Sequence, residues 1–179
     1  MTQIGSTYGT AFYELAAQEQ LCDVILQQLK ELRNCFAQEP DFLRLLSAHN
    51  LPKQERISIA DTCLQGKVEP YVLNFLKLLT EKGHANQFDS CVDTFEKAYY
   101  QEHGILPVVA VSAVALTQSQ VQRLEEKLSA ITGKKAQLSN RVEPECLGGI
   151  RLDYDGTQVD GSIANRINAI GKLLKNTVL

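Results

Sequence analysis

Residues that could do chemistry are present in this 179-residue sequence, but they lack the spacing that chemistry requires. The histidines His49, His84 and His103 form no helical array with cysteine or acidic partners that would hold a metal. A serine nucleophile needs a strained turn such as G-x-S-x-G, and no glycine stands two residues after Ser162, which follows Gly161. We therefore predict capping or surface roles for these residues.

The sequence also lacks the residue patterns that phosphate binding and acid-base catalysis require. Residues 156–162 resemble a phosphate-binding loop only in their glycines, because the lysine that would contact the terminal phosphates is missing. Glu125 and Glu126 are adjacent on a predicted helix and point apart, and Glu143 and Glu145 fall in a loop. The sequence predicts a protein with no catalytic residues, no cofactor and no metal.

The cysteine pattern bears on the cellular compartment. The five cysteines are Cys22, Cys35, Cys63, Cys91 and Cys146. Their number is odd and none are spaced as C-x-x-C, so we predict buried, reduced thiols rather than a disulfide framework. Residues 1–6 lack the basic and apolar blocks of a signal peptide, which predicts a cytosolic bacterial product.

Composition excludes several classes of protein. The sequence is 44% hydrophobic and 22% charged, values that are ordinary for a folded globular chain. Its net charge of -3 and pI near 5.6 offer no attraction to a phosphate backbone. The mainly apolar, uncharged stretch of residues 105–116 is well short of the roughly 20 apolar residues that a membrane helix needs.

The first hundred residues carry helical periodicity almost throughout. Apolar residues recur every three or four positions, which predicts helices over residues 3–17 and 19–37. Pro40, Pro52 and Pro70 suit the first turns of three further helices, and a sixth ends before Gly104. The fourth helix is predicted to bury Ile59, Ala60, Cys63 and Leu64.

The pattern changes at Ile105. Residues 108–114 are rich in β-branched side chains, as expected of a covered strand. Thr117 and Gln120 then form a capping box that begins a helix. The predicted core face of this helix comprises Val121, Leu124, Leu128 and Ile131.

Two more predicted strands occupy residues 135–142 and 150–154. Asp155-Gly156 favours a tight hairpin turn toward Val159. Either Asp160 or Ser162 can cap a closing helix. The buried face of that helix is predicted to hold Ile163, Ile167, Ile170 and Leu174.

These patterns predict a mainly α fold with a small α+β part. A six-helix bundle would occupy residues 1–104, and a small β-α-β-β-α domain would occupy residues 105–179. The join near Gly104 is short.

Three motifs stand close together near the C-terminus. They are Gly148-Gly149-Ile150-Arg151-Leu152, Val159-Asp160-Gly161-Ser162-Ile163 and Arg166-Ile167. They resemble the delta subunits of F-type ATP synthases, a family that includes the mitochondrial oligomycin-sensitivity-conferring protein. The similarity extends to Tyr8 with Ala11-Phe12 and to residues 74–83. Gly9 stands where the family usually has alanine, and a helical glycine costs about 1 kcal/mol relative to alanine.

The resemblance implies a non-catalytic stator subunit within a hetero-oligomer. Residues 1–104 would bind N-terminal helices of the alpha subunits of the catalytic head, through the first and fifth helices. Residues 105–179 would bind the b subunits of the peripheral stalk, so that torque is resisted during proton-driven ATP synthesis. The protein would lie at the cytoplasmic face of the bacterial cell membrane, held there by the complex without inserting into the bilayer.

The resemblance also implies which residues serve each partner. Those expected to line the alpha-subunit groove are Tyr8, Ala11, Phe12, Leu15, Phe75 and Leu79. The alternative, that most of them are core residues, stays open because one helix face can serve both purposes. The structural motif of the stalk-binding domain comprises Gly148, Gly149, Asp160, Gly161, Ser162 and Arg166.

A rival interpretation is an unrelated cytosolic helical adaptor, including an RNA-binding bundle. The acidic pI and the absence of a basic stripe speak against RNA. A small enzyme would instead show an activity that is lost when a histidine, cysteine or serine is replaced.

Overall fold

A computed structural model of the chain describes residues 2–48, 51–154, 156–163 and 165. The chain divides into two compact units, with the boundary between Tyr99 and Tyr100. The described residues form seven α-helices and one four-stranded sheet, so the protein is mostly helical. Each unit is described separately below.

The helices of the first unit begin and end near the prolines and glycines that predicted their limits. They are α1 (Gln3–Gln18), α2 (Cys22–Gln38), α3 (Pro40–Ser47), α4 (Lys53–Leu64), α5 (Pro70–Glu81) and α6 (Phe88–Glu102), with a short 3-10 helix, Ala85–Gln87, before α6. Prolines open α3 and α5 at the first turn, as predicted. Gly66, Gly83 and Gly104, which follow α4, α5 and α6, have the positive φ angles that end helices.

All six helices contribute to one apolar core. Ile25 of α2, Leu76 of α5 and Phe88 of α6 are completely buried within it. Burying a side chain of this size contributes about 1.5–3 kcal/mol each. The core therefore fixes α1 and α5 in place, which matters because these two helices form the site described below.

The prediction that the cysteines are buried is wrong for two of them. Cys35 and Cys63 are exposed, whereas Cys91 and Cys146 are buried, and all five are free thiols. In α4 the inward positions are Arg56 and Ala60, one turn apart, and Cys63 lies in the last turn with its side chain in solvent. Burial raises the pKa of the Cys91 thiol to about 11, so it stays protonated at neutral pH.

Two glycines let α1 approach α6 closely. A Cβ added to Gly9 would lie 2.6 Å from the Cys91 carbonyl oxygen and 2.7 Å from Thr94 Cβ. A Cβ added to Gly5 would overlap the Ser90 side chain. Gly9 is therefore a packing residue as well as a weak helix former, because alanine would not fit unless one helix moved.

The second unit is built on a mixed sheet. Its elements are β1 (Ile105–Ser112), α7 (Gln118–Thr132), β2 (Lys135–Val142), β3 (Ile150–Tyr154) and β4 (Thr157–Asp160). The strand order is β2-β1-β3-β4, with β1 and β2 parallel and the other pairs antiparallel. The prediction had only three strands, and the chain after the hairpin pairs with β3 as a fourth. All four residues of β4 are exposed, so no alternation of buried and exposed residues marks it in the sequence.

The predicted start and end of α7 are confirmed. The Thr117 amide donates to Gln120 Oε1 at 2.9 Å within a capping box, and Gly133 ends the helix at φ 68°. The predicted core position of Ile131 is wrong, because its side chain is 81% exposed in the last turn. Two polar side chains of α7 instead reach β2, where Ser129 Oγ accepts from the Ala136 amide and Glu125 Oε1 from the Leu138 amide.

The end of the chain is described only in part. The predicted hairpin is present, with Tyr154 paired to Thr157 and Gly156 at φ 75°, although Asp155 lies outside the described residues. Ile163 is 46% exposed. The remaining residues of the predicted closing face, Ile167, Ile170 and Leu174, lie outside the described residues, as does His49.

Candidate functional site

An open groove runs between α1 and α5 of the first unit. Its volume is about 390 Å³. The residues that line it are Tyr8, Ala11, Phe12 and Leu15 of α1 and Tyr71, Asn74, Phe75 and Leu78 of α5. Seven of these eight side chains are aliphatic or aromatic, so the groove offers an apolar surface rather than a polar or charged site.

The floor of the groove belongs to the core. The rings of Phe12 and Phe75 are stacked, with centroids 4.1 Å apart and planes 3° from parallel. Phe12 also contacts the ring of Phe95 in α6 at 5.6 Å. Leu15 and Leu78 form the walls and are 39% and 38% exposed. A rigid floor with accessible walls suits an apolar ligand that does not require the helices to move.

The structure brings together five of the six residues predicted for this groove. Tyr8, Ala11, Phe12, Leu15 and Phe75 all line it. Leu79 does not, because its side chain is completely buried in the core. Sequence reasoning missed Tyr71, Asn74 and Leu78. Tyr71 and Leu78 stand four residues before and three residues after Phe75, and Asn74 stands three residues after Tyr71 and four before Leu78, so all of them share one helical face.

Contacts of α1 and α5 with the residues that follow them mark the two ends of the groove. At one end Tyr71 of α5 interacts with the carboxylate of Glu19, which follows α1, and at the other the rings of Tyr8 of α1 and His84, which follows α5, are 6.1 Å apart. The negative charge of Glu19, together with burial, raises the pKa of Tyr71. Because late residues of α1 meet early residues of α5, the two helices are antiparallel.

A second hollow lies across α2, α3 and α6. Its lining residues are Arg33, Phe36, Ala37, Pro40, Leu43 and Asp89, and its volume is about 460 Å³. Arg33 is 2.5 Å from Asp93 and 3.8 Å from Asp89, so its charge is satisfied within the fold. This hollow combines apolar walls with internally paired charges and favours no particular ligand.

The C-terminal motif residues meet in the second unit. The Gly161 amide donates to the Ile150 carbonyl at 3.1 Å, and the Ile163 amide to the Gly148 carbonyl at 3.0 Å. Gly149 has φ 80°, and a Cβ there would lie 2.6 Å from the Gly161 carbonyl oxygen. The chain entering β3 thus crosses the chain leaving β4 at backbone contact distance, which only glycine allows.

Asp160 and Ser162 hold the turn that follows β4. Asp160 Oδ1 accepts from the Ser162 amide at 2.9 Å, and Ser162 Oγ accepts from the Asn165 amide at 3.2 Å. Hydrogen bonds from the Ser162 hydroxyl and amide lower the pKa of Asp160. Both residues predicted as caps therefore accept a backbone hydrogen bond: Asp160 from the Ser162 amide in the turn, and Ser162 from the Asn165 amide. Arg166 lies outside the described residues.

Neither unit contains a recognisable reactive centre in its described part. No three histidine, cysteine or acidic side chains lie close enough together there to bind a metal ion. None of the described helices has the length and apolar character that crossing a membrane requires.

Comparison with known proteins identifies the family. The family model for the ATP synthase delta (OSCP) subunit matches residues 4–174. ATP synthase subunit delta of Enterococcus faecalis is 30% identical, with 96% of both chains covered. Mitochondrial ATP synthase subunit 5 of Saccharomyces cerevisiae is 29% identical, with 98% of this chain and 85% of that protein covered.

Structural comparison agrees with this result. A chain of the Toxoplasma gondii mitochondrial ATP synthase hexamer has a TM-score of 0.75, with 97% of this chain and 98% of that chain covered. Because the two chains are only 16% identical, this likeness shows a shared fold and nothing more. The match over residues 4–174 overturns the alternative of an unrelated helical adaptor or RNA-binding bundle. The chain belongs to the ATP synthase delta (OSCP) subunit family, a non-catalytic structural subunit of that complex.

Proposed function

We propose that this protein links the catalytic head of an F-type ATP synthase to its peripheral stalk. The first unit binds the N-terminal helix of an alpha subunit, and the second binds the b subunits. The protein resists the torque that rotation exerts on the head during proton-driven ATP synthesis. It works at the cytoplasmic face of a bacterial membrane, where the complex holds it.

The groove between α1 and α5 is the observation that carries this proposal. It is apolar and open to solvent, and the stacked rings of Phe12 and Phe75 form its floor. Amphipathic helices bind by laying their apolar face into such grooves. Residues 8 to 19 of α1 span about 17 Å at 1.5 Å per residue, which matches about three turns of a bound helix.

The second unit offers a different surface for the stalk. Leu147 and Val159 are 68% and 49% exposed, and Ile163 packs beside Gly148 while remaining half exposed. Exposed apolar side chains of this size next to a rigid backbone crossing are suited to contact with a partner. Mixing the full chain with the soluble C-terminal part of the b subunits tests this half, and no binding would contradict it.

A peptide from the N-terminus of the same organism's alpha subunit tests the first half. Isothermal titration calorimetry should detect binding, and Leu78→Asp should weaken it at least tenfold because a carboxylate would be buried against the apolar face. Leu45→Asp is the matched control, since Leu45 of α3 is 37% exposed and Leu78 is 38% exposed. Equal affinities for the two variants, both folded by circular dichroism, would contradict the groove assignment.

A further inference from the structure

The two ends of the α1–α5 groove carry opposite charge. Glu19, the C-cap of α1, stands four residues after Leu15 and continues the stripe that lines the groove. Lys82, the C-cap of α5, stands four residues after Leu78 and continues the opposite stripe. Residues four apart lie on one helical face, so both charges are in line with the apolar surface. Because the helices are antiparallel, the two charges are at opposite ends.

The acidic end gathers two carboxylates around Tyr71. Glu19 is exposed, and its negative charge raises the pKa of the Tyr71 hydroxyl; the charge of Glu69, half-buried at the start of α5, acts on that hydroxyl in the same direction. Within the described part of the chain neither carboxylate is in an ion pair. The negative charge at this end is therefore available to a bound partner.

The other end is basic. Lys82 is exposed and, among the described residues, has no ion-pair partner. Its neighbour Glu81 is paired with Lys53 at 2.8 Å, and the charges of Lys53 and Lys82 both lower the pKa of Glu81, so this end has two lysines for one carboxylate. The nearby aromatic contact between Tyr8 and His84 adds no negative charge.

We propose that this polarity sets the direction in which a helix binds. The partner is an amphipathic helix whose apolar face has a basic residue at the end beside Glu19 and an acidic residue at the end beside Lys82. This inference rests on the proposed function, which makes the groove a helix-binding site. Complementary charge at the ends of an apolar interface gives specificity and register rather than most of the affinity.

A designed peptide tests the direction. A synthetic 16-residue amphipathic helix is made with lysine at one end of its apolar face and glutamate at the other. A nitroxide at the lysine end should broaden the amide resonances of Tyr71 and Val72 in the ¹⁵N-labelled full chain, and a nitroxide at the glutamate end should broaden Gly83. In the double variant Glu19→Lys with Lys82→Glu, the pattern should reverse.

Two further variants separate the charge effect from changes in the fold. Glu19→Gln should reduce the affinity for the peptide roughly two- to fivefold at low salt, the range expected of an exposed ion pair. Glu14→Gln should leave the affinity unchanged, because Glu14 is about 100° around α1 from Leu15. Tyr71→Phe keeps the Glu19 charge and should preserve the direction of binding.

The outcomes distinguish the two proposals. Equal broadening at both ends, or no reversal in the charge-swapped variant while the peptide still binds, would overturn the charge-set direction and leave the groove as a helix-binding site. Failure of the folded protein to bind either the designed peptide or the alpha-subunit peptide would overturn the proposed function instead.

Discussion

The interiors of the two units are built on different principles. In the first unit Phe88, Phe95, Ile25 and Leu76 are completely buried, in a core to which five helices contribute large side chains and α4 contributes Ala60. In the second, the side chains of the described residues that are almost fully buried are small or β-branched, such as Val108, Ala110 and Val111, and α7 buries no residue completely. In the described part of the chain, the first unit is therefore characterised by the packing of large side chains, and the second by close backbone contacts and hydrogen bonds.

Removing a large core side chain tests the packing half of this comparison. Phe88→Ala should lower the free energy of unfolding of the first unit by about 3–5 kcal/mol, because Phe88 is completely buried and contacts Phe36 edge-on at 5.1 Å. Amide hydrogen exchange on the full chain measures the effect in each unit. Leu78→Ala, at a half-exposed wall position, is the control and should cost far less.

A single added methyl group tests the importance of the close backbone contact in the second unit. Gly149→Ala should destabilise the second unit by about 2–4 kcal/mol, since strain at positive φ costs 1–3 kcal/mol and the new Cβ meets the Gly161 carbonyl oxygen. Gly156→Ala is the control, because Gly156 has a similar φ of 75° with nothing within 4 Å. Thermal unfolding followed by circular dichroism compares the two variants. Equal losses of stability would mean that the backbone contact between Gly149 and Gly161 does not stabilise the second unit.

A glycine in the first unit sharpens the contrast. Gly9→Ala improves helix propensity by about 1 kcal/mol but places a methyl group 2.6 Å from the Cys91 carbonyl oxygen. Overpacking costs about 1–3 kcal/mol, so we expect net destabilisation of about 1 kcal/mol in urea unfolding. A stabilised Gly9→Ala protein would mean that α1 can move away from α6.

The smallest predicted effect is on how the stability of the fold depends on pH. Hydrogen bonds from Ser162 lower the pKa of Asp160. The ionised Asp160 carboxylate therefore stabilises the fold above the ordinary aspartate pKa, and this stabilisation is lost as the pH falls through the lowered value. Glu81 of the first unit also has a lowered pKa, through its hydrogen bond and ion pair with Lys53. Urea midpoints between about pH 5 and 3 should fall less steeply in Asp160→Asn. Because salt screens ion pairs, 1 M NaCl should reduce the pH-dependent stabilisation from Glu81 more than that from Asp160.

The sequence predicted features whose cause is local. Helix limits followed from prolines, glycines and apolar periodicity, and the capping box at Thr117 followed from two residues three apart. Five groove residues were predicted through the family resemblance together with a stripe on α1. The helix limits and the cap required no knowledge of how distant segments meet, whereas the pairing of the first and fifth helices came from the resemblance.

What the sequence did not reveal depends on contacts between distant segments. Leu79 and Leu78 are adjacent and equally apolar, and only the position of α5 on the core decides that Leu79 is buried and Leu78 lines the groove. Ile131 fits the periodicity of α7 but lies where nothing covers it among the described residues. The packing role of Gly9 likewise becomes visible only once α6 is beside it.

The hydrogen bonds from α7 to β2 have a consequence for the protein before it meets its partners. Strand β2 is at one edge of the sheet, and an open edge invites the strand of another molecule. Ser129 and Glu125 accept the Ala136 and Leu138 amides at 2.9 and 2.8 Å, so two of the donors that a foreign strand would need are already occupied. We expect these two hydrogen bonds to disfavour the addition of a strand from another molecule at this edge.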